Sequence, residues 1–225
     1  MTVSPHRIVA IDGPAASGKS SVARALAKSI GFKYVNSGAI YRAVTWHVLQ
    51  RGIAPNDADA IVRLLETSLL DCHLQGDGSQ TLIDGIDPTP HLRDDSVNAA
   101  VSLVSSIPRV REILVCKMRA FATDRDIVME GRDIGSVVFP ATPFKFYIDA
   151  SLEIRLQRRL AQGERDKIKS RDQADSTRRS SPLVIAKDAY VIDSSNLTIK
   201  EVVARLVEQL KRKGMILSEV SFKDL

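Results

Sequence analysis

Short apolar runs alternate with helix-like apolar spacing at the start of the chain. Residues 8–11 form a continuous apolar run that ends at Asp12, which predicts a buried strand. A turn containing glycines follows, and apolar residues then recur at every fourth position until Gly31, which predicts a helix. The same succession returns once, with an apolar run at 33–35 and a helical spacing that ends at Gly52. We therefore predict two consecutive strand–helix units.

The pattern changes between residues 57 and 121, where helical spacing dominates. A helix is predicted after Asp57, and further helices are predicted near Asp95 and at Pro108. Between them, the glycines of Gly76-Asp77-Gly78 predict the turn of a hairpin. We interpret this stretch as a segment inserted into the alternating strand–helix pattern.

Strand-like runs resume after the insert. Residues 126–129 and 144–148 have the apolar character of buried strands, and the second run leads into a helix after Ser151. A last strand is predicted at 190–192. A capping box at 198–201 then opens a terminal amphipathic helix.

Residues 163–181 are polar and strongly charged, contain few apolar residues and are followed by Pro182. This composition predicts a mobile lid rather than part of the core. The whole pattern favours an α/β fold in which a mostly parallel sheet is covered by helices on both faces. We predict one domain made of a core (1–56 and 123–225), an insert (about 57–122) and a lid (about 160–182).

Composition sets limits on the class of protein. With 225 residues, 44% of them apolar, the chain can bury one α/β core and carry a small insert. The net charge is +5, and the basic residues are interspersed with acidic ones, unlike those of a nucleic-acid-binding arm. Cys72 and Cys116 lack CxxC spacing and therefore do not indicate a metal site. No signal peptide or bilayer-spanning run is evident, so we expect a cytoplasmic monomer that binds neither membrane nor nucleic acid.

One glycine-rich motif stands between the first predicted strand and the first predicted helix. Its residues are Gly13-Pro14-Ala15-Ala16-Ser17-Gly18-Lys19-Ser20, which match the P-loop pattern G-x-x-x-x-G-K-[ST]. The glycines let backbone N–H groups converge on phosphate oxygens, and the helix adds its positive N-terminal end. Lys19 then reaches the β and γ phosphates, while the Ser20 hydroxyl can bind Mg²⁺. The motif predicts a nucleoside triphosphate site.

Two further segments indicate what the triphosphate is used for. Arg42, at the start of the second predicted helix, could clamp an acceptor phosphate, although a surface arginine is the simpler reading. Glu130-Gly131-Arg132-Asp133 places two acids and an arginine at the carboxyl end of a predicted strand, where ligands bind in open α/β sheets. The alternative is a polar turn that leaves the sheet. The P-loop alone does not separate kinases from nucleotide switches or motor ATPases.

Together with Pro108-Arg109-Val110-Arg111 and the stretch from Arg171-Asp172 through Asp175 to Arg178, these segments resemble the bacterial cytidylate kinases, a family of P-loop nucleoside-monophosphate kinases. The resemblance extends over nearly the whole chain. It implies that ATP and Mg²⁺ are used to phosphorylate CMP and dCMP, and that the fold is an α/β core with an inserted monophosphate-binding subdomain and a mobile lid. The segments that carry it are residues 13–21, Ser37 to Arg42, Pro108-Arg109-Val110-Arg111, Gly131-Arg132-Asp133, and Arg171-Asp172 through Asp175 to Arg178.

The resemblance also implies roles for single residues. Arg42 and Arg132 hold the CMP phosphate. Arg171 and Asp175 face the pentose. The residues implied around the cytosine are Ser37, Ser102, Arg111, Asp133 and Arg178.

For the donor, we expect contacts from the P-loop and from the helix that enters the lid. Arg155 and Arg159 lie one helical turn apart, so both can point at the triphosphate, with a solvated helix face as the alternative. We expect Lys19, Arg132 and Arg178 to be catalytic and Ser20 to bind the metal. The expected ATP-binding set is Gly13, Pro14, Ala15, Ala16, Ser17, Gly18, Lys19, Ser20, Ser21, Arg155 and Arg159.

Two features depart from the family. The stretch between Arg159 and Arg171 is shorter than usual, which bears on how a lid would close. Asn36 stands where the family often has an aspartate.

The sequence gives less support to other functions of P-loop proteins. A shikimate-type or gluconate-type kinase shares the P-loop but needs a base for its neutral hydroxyl acceptor. A guanine-nucleotide switch would carry the motif N-K-x-D, which this sequence lacks. A nucleic-acid-dependent ATPase would need a basic face with aromatic residues, whereas aromatic residues make up only 5% of the chain.

Overall fold

The sheet at the centre of the molecule is parallel throughout. The computed structural model describes residues 6–75, 78–161, 168–217 and 220–221, with the side chains of all but 72–75, 78 and 171. Within these residues, five strands pair in the order β2-β5-β1-β6-β7, which confirms the predicted α/β class. Their bounds are β1 Ile8–Asp12, β2 Lys33–Asn36, β5 Ile127–Gly131, β6 Phe144–Asp149 and β7 Tyr190–Asp193.

Strand β1 is central because its side chains suit burial on both faces. Val9, Ala10 and Ile11 are fully buried, as expected for a strand covered by helices on both sides. Its last residue, Asp12, lies opposite Gly131 of β5 and Tyr147 of β6. The carboxyl ends of three strands therefore meet at one edge of the sheet, where the P-loop begins.

Helices cover the sheet on both faces. The cluster on one face includes Leu26 and Leu206 packed with Ile11, and the cluster on the other includes Ile40 and Leu114 packed with Met129. In the described part of the chain the helices are α1 Lys19–Ile30, α2 Ser37–Gln50, α3 Ala58–Thr67, α4 Asp95–Val104, α5 Pro108–Ala120, α6 Leu152–Ala161, α7 Ile168–Ser176 and α8 Ile199–Arg212. Among these described helices, none has the length and apolar character needed to cross a membrane.

Two predicted helices begin at residues whose side chains cap them. At α8, the Glu201 amide donates to the Thr198 hydroxyl at 3.2 Å and the Thr198 amide donates to the Glu201 carboxylate at 2.8 Å, so the capping box is confirmed. At α2, the Asn36 side chain accepts from the Ala39 amide at 3.0 Å. Asn36 therefore serves as the N-cap of the helix that presents Ser37 and Arg42.

The segment from 57 to 122 packs on the same apolar cluster as the sheet. Ile61 of α3 and Val104 of α4 belong to the cluster that contains Val35 of β2. Strands β3 (Leu70–Gln75) and β4 (Gly78–Ile83) pair antiparallel, as the predicted hairpin requires, while its turn at 76–77 lies outside the described residues. The insert is thus not a separate core, and its role in binding the monophosphate remains a prediction.

A π-helix at Ile134–Val138 follows β5 directly and has no counterpart in the sequence prediction. The Ile134 and Gly135 amides each donate to the Asp12 carboxylate at 2.8 Å. These bonds join the segment after Asp133 to the strand that leads into the P-loop.

His47 gives the fold a predictable pH dependence. This residue of α2 is 2% exposed, and its Nε2 lies 2.9 Å from the Ser68 hydroxyl and 3.4 Å from an Asp84 carboxylate oxygen. Burial lowers the pKa of His47 below its ordinary 6.5, although Asp84 opposes the shift. The folded protein therefore prefers neutral His47, and this contribution to stability is present above pH 6.5 and lost as the pH falls.

We expect the free energy of unfolding to fall more steeply between pH 7 and pH 5 in the wild type than in His47→Gln, by up to about 1.4 kcal/mol per pH unit. Urea unfolding at several pH values measures this difference directly. Parallel pH profiles for the two proteins would show that His47 does not titrate differently in the folded state.

Candidate active site

A cleft of about 1250 Å³ opens at the carboxyl edge of the sheet. It is larger than the several hundred Å³ usual for one small ligand, so it has room for two. The P-loop lines one part, and the start of α2, helix α4 and the Glu130–Asp133 segment line another. This edge of an open α/β sheet is where ligands bind.

The backbone of the P-loop requires its glycines. A Cβ on Gly13 would lie 2.1 Å from the Ile148 carbonyl oxygen, so the strand ends and the loop can approach only without a side chain. Gly18 has a φ of 87°, in the left-handed region, and precedes the first residue of α1, Lys19. The first residues of α1, Lys19 and Ser20, line the cleft, so the N-terminal end of the helix is available to an anion.

Lys19 and Ser20 are held by polar partners at the start of α1. Lys19 is 6% exposed, and its ammonium donates to the Pro14 carbonyl at 2.9 Å. The Ser20 hydroxyl donates to a Glu130 carboxylate oxygen at 2.7 Å, and the Tyr34 hydroxyl donates to the same oxygen at 3.2 Å. A hydroxyl and a carboxylate beside a phosphate-binding loop are the hard oxygen ligands that Mg²⁺ prefers, so these residues fit that metal.

A buried ion pair also lines the cleft. Arg111 donates to the Asp133 carboxylate, and both side chains are 3% exposed. Arg111 also donates to the Ser105 carbonyl at 2.9 Å, and its guanidinium lies 5.1 Å from the centre of the Tyr41 ring. The Ser37 hydroxyl donates to the Glu130 carbonyl at 2.8 Å. Side chains predicted to surround the cytosine are therefore brought together.

Asp175 of α7 joins two of the predicted catalytic arginines. Arg132 donates through Nε to one of its carboxylate oxygens at 2.8 Å, and Arg178 donates to the other. Burial lowers the pKa of Arg178, while the neighbouring carboxylate of Asp175 opposes that shift. The two cations lie close together only because a carboxylate separates them.

Several buried polar atoms in this half of the cleft lack a hydrogen-bond partner among the described residues. They include the Tyr41 hydroxyl, Arg111 Nε and Arg178 Nε, and all three residues line the cleft. Buried donors are nearly always satisfied in folded proteins, and leaving one unpaired costs about 1–3 kcal/mol. A polar ligand that accepts hydrogen bonds would suit these donors.

Most of the predicted site residues line this one cleft. Arg42 is among them and donates to the Leu92 carbonyl at 2.8 Å and to the Asn98 side chain at 2.7 Å. Gly13 and Pro14 lie just outside the lining, and the Arg171 side chain lies outside the described part of the chain. The predicted residues that line the cleft are Ala15, Ala16, Ser17, Gly18, Lys19, Ser20, Ser21, Ser37, Arg42, Ser102, Arg111, Arg132, Asp133, Arg159, Asp175 and Arg178.

From helical spacing we expect both Arg155 and Arg159 of α6 to point at the triphosphate, but the two side chains lie in different surroundings. Arg159 lines the cleft, whereas Arg155 lies outside the lining and donates to the Ala15 carbonyl at 3.1 Å. Arg158, which was not predicted, donates to the Ser17 carbonyl at 3.1 Å and to the Ser194 carbonyl at 2.8 Å. Residues 155 and 158 are also one turn apart, so the helical spacing could have indicated Arg158.

Asp12 and Glu130 are two acidic residues near the P-loop that were not among the predicted site residues. Both are nearly fully buried at the carboxyl ends of strands. Burial raises the pKa of Asp12 to about 7, against the opposing effect of its two backbone N–H donors. The sequence indicated a functional position for Glu130, because it lies beside Arg132 and Asp133 at the end of a predicted strand. Its contact with Ser20 was not predictable, because that contact depends on the pairing of β5 with β1.

The fold and the cleft define a P-loop phosphotransferase, in which the P-loop and several arginines line one cleft. A sequence profile of the cytidylate kinase family matches residues 9–212. The cytidylate kinase of Caldanaerobacter subterraneus subsp. tengcongensis is 44% identical over 221 residues, 92% of this chain and 97% of that protein. The cytidylate kinase of Mycobacterium avium is 42% identical over 226 residues, 95% and 99% of the two chains. The chain therefore belongs to the cytidylate kinase family.

Solved structures align over most of the chain at lower similarity. A shikimate kinase from Acinetobacter baumannii in complex with shikimate is 11% identical, with a TM-score of 0.45 and coverage of 94% of this chain and 96% of that one. This low similarity does not indicate which acceptor the protein uses.

Proposed function

We propose that the protein transfers the γ-phosphate of ATP to CMP or dCMP, giving ADP and CDP or dCDP. The observation that carries the proposal is the buried Arg111–Asp133 pair, which lies in the same cleft as the P-loop and beside unsatisfied donors of Tyr41 and Arg178. Family membership supports the same acceptor.

Cytosine fits the chemistry of this pair. Its exocyclic amine is a donor, while N3 and O2 are acceptors, so a carboxylate and a guanidinium can read the base in one plane. Asp133 can accept from the amine, and Arg111 Nε can donate to a ring acceptor. Uracil has an acceptor where cytosine has the amine, which would face the Asp133 carboxylate unfavourably.

The chemical step needs charge stabilisation more than a base, because the attacking oxygen already belongs to a phosphate anion. In this proposal Arg42 and Arg132 bind the acceptor phosphate, and Lys19 binds the β and γ oxygens of ATP. Mg²⁺, when bound at the Ser20 hydroxyl beside Glu130, supplies further positive charge at those oxygens. Arg132 and Arg178 would lie between the two polyanions, where negative charge accumulates during transfer.

The proposed lid spans about residues 160–182, of which 162–167 lie outside the described residues. Its described part includes α7, whose Asp175 contacts the arginines of the acceptor site. Covering the cleft would exclude water, which otherwise competes with CMP for the phosphoryl group. We also propose that the protein acts as a cytoplasmic monomer on small nucleotides, without a nucleic-acid or membrane partner.

The acceptor panel is the direct test. We expect kcat/KM for CMP and dCMP to exceed that for AMP and GMP by about 100-fold or more, because a purine has a larger ring system and lacks the O2 acceptor that cytosine offers beside N3. ADP release with ATP and Mg²⁺ measures each acceptor, with shikimate and gluconate as hydroxyl acceptors that should give no turnover. Comparable turnover of AMP would contradict the proposal.

A further inference from the structure

The inward face of α7 carries two carboxylates one helical turn apart. Ile168, Asp172 and Asp175 follow the spacing i, i+4, i+7, which places them on one side of the helix. Ile168 is 1% exposed, and the side chains of Asp172 and Asp175 are 19% and 4% exposed. This short helix is therefore held against the core by a buried apolar residue and by acids.

Asp172 contacts the P-loop. One of its carboxylate oxygens accepts from the Ala15 amide at 3.1 Å, and the other accepts from Arg155. Arg155 in turn donates to the Ala15 carbonyl at 3.1 Å and to the Ala150 carbonyl at 3.1 Å. The guanidinium neutralises the carboxylate, which explains how an acid can lie beside a loop built to bind a triphosphate.

Asp175, three residues further along, contacts the other site. Its carboxylate bridges Arg132 and Arg178 on the acceptor side of the cleft. Side chains at i and i+3 of a helix are neighbours about 5–6 Å apart at Cβ. One turn of α7 thus connects the P-loop backbone to the arginines proposed to hold the acceptor.

We propose that Asp172 is a positioning residue that couples the two substrate sites. ATP that orders the P-loop fixes the Ala15 amide and Arg155, and through Asp172 it fixes α7 with Asp175 in place for the acceptor. Binding of one nucleotide then strengthens binding of the other, and the effect is reciprocal. This inference rests on the proposed function, since it requires both nucleotides to bind.

The test is the dissociation constant of CMP, measured by calorimetry with and without saturating β,γ-imido-ATP and Mg²⁺. For the wild type we expect β,γ-imido-ATP to tighten CMP binding by about 5-fold or more, a typical size for coupled sites. In Asp172→Ala this ratio should fall to within about twofold of one. Asp172→Asn, which keeps an oxygen for the Ala15 amide but loses the charge that pairs with Arg155, should lie between them.

Gln173→Ala is the matched control, because Gln173 is the exposed neighbour on the same helix. It should keep the wild-type ratio. A wild-type ratio in Asp172→Ala, or equal weakening of CMP in the presence and absence of β,γ-imido-ATP, would mean that Asp172 only supports the fold. CMP binding without coupling in the wild type overturns this inference alone, whereas failure of the wild type to bind CMP overturns the proposed function as well.

Discussion

Lys19→Ala should lower kcat/KM for the reaction of ATP with CMP by about 10³-fold or more while leaving a folded protein. The Lys19 ammonium is nearly buried beside Pro14 at the start of α1, and no other lysine lines the cleft formed by the described residues. Removing it takes away the charge that we propose binds the β and γ oxygens of ATP, where negative charge develops during transfer. Steady-state ADP release measures the loss, and circular dichroism with urea unfolding checks the fold.

Lys28→Ala serves as the control for this prediction. Lys28 lies exposed in the last turn of the same helix, away from the cleft lining. The control should retain activity within about twofold, as is usual for a surface change remote from a site. If Lys19→Ala kept activity within tenfold of the wild type, the P-loop would not be the donor site.

The elements of the fold were predictable where local pattern decides them. The strand–loop–helix unit around the P-loop combines a short apolar run, obligatory glycines and helical spacing, and each of these signals lies within a few residues. Strand order was not predictable in the same way, because β1 pairs with β5 and β6, which follow it by more than a hundred residues. Such pairing depends on packing across the whole core.

The π-helix after β5 was likewise not predictable from the local sequence. Its five residues, Ile134–Val138, are too few to carry a periodicity that indicates a helix. Its first amides instead donate to Asp12, more than a hundred residues earlier in the chain. The conformation is therefore set by a buried carboxylate that local sequence does not reveal.

The site was predictable mainly through resemblance. The P-loop and the Glu130–Asp133 segment could be placed from the residues alone, whereas Ser102 and Arg111 have no local signal that marks them as site residues. Helical spacing selected Arg155 and Arg159, but the neighbours of α6 decide which arginine faces the loop. In the structure, Arg155 and Arg158 both donate to P-loop carbonyls, those of Ala15 and Ser17, whereas Arg159 lines the cleft.

The role of Asp133 is best tested with a substitution that keeps its hydrogen bond with Arg111. Both side chains are buried, so Asp133→Ala would leave the Arg111 charge without its partner and should cost about 3–5 kcal/mol of stability. A loss of activity in that variant would not separate specificity from folding. Asp133→Asn is the sharper change, because the amide oxygen can still accept from Arg111 while the negative charge is lost.

Asp133→Asn should reduce the preference for CMP over UMP by about tenfold or more, equivalent to about 1–3 kcal/mol of discrimination. The amide can offer N–H to uracil O4, whereas the carboxylate repels that oxygen, so UMP should gain relative to CMP. The dissociation constant of β,γ-imido-ATP should change little, since we propose that Asp133 contacts the acceptor base and not the triphosphate.

The measurement is kcat/KM for CMP and UMP in the wild type, in Asp133→Asn and in Asp59→Asn. Asp59 is an exposed acid in the first turn of α3, so its variant removes a charge without touching the cleft and should keep the wild-type ratio. Urea unfolding of all three proteins separates a change in specificity from a change in stability. An unaltered CMP to UMP ratio in Asp133→Asn would mean that Asp133 only neutralises Arg111 and that other residues read the base.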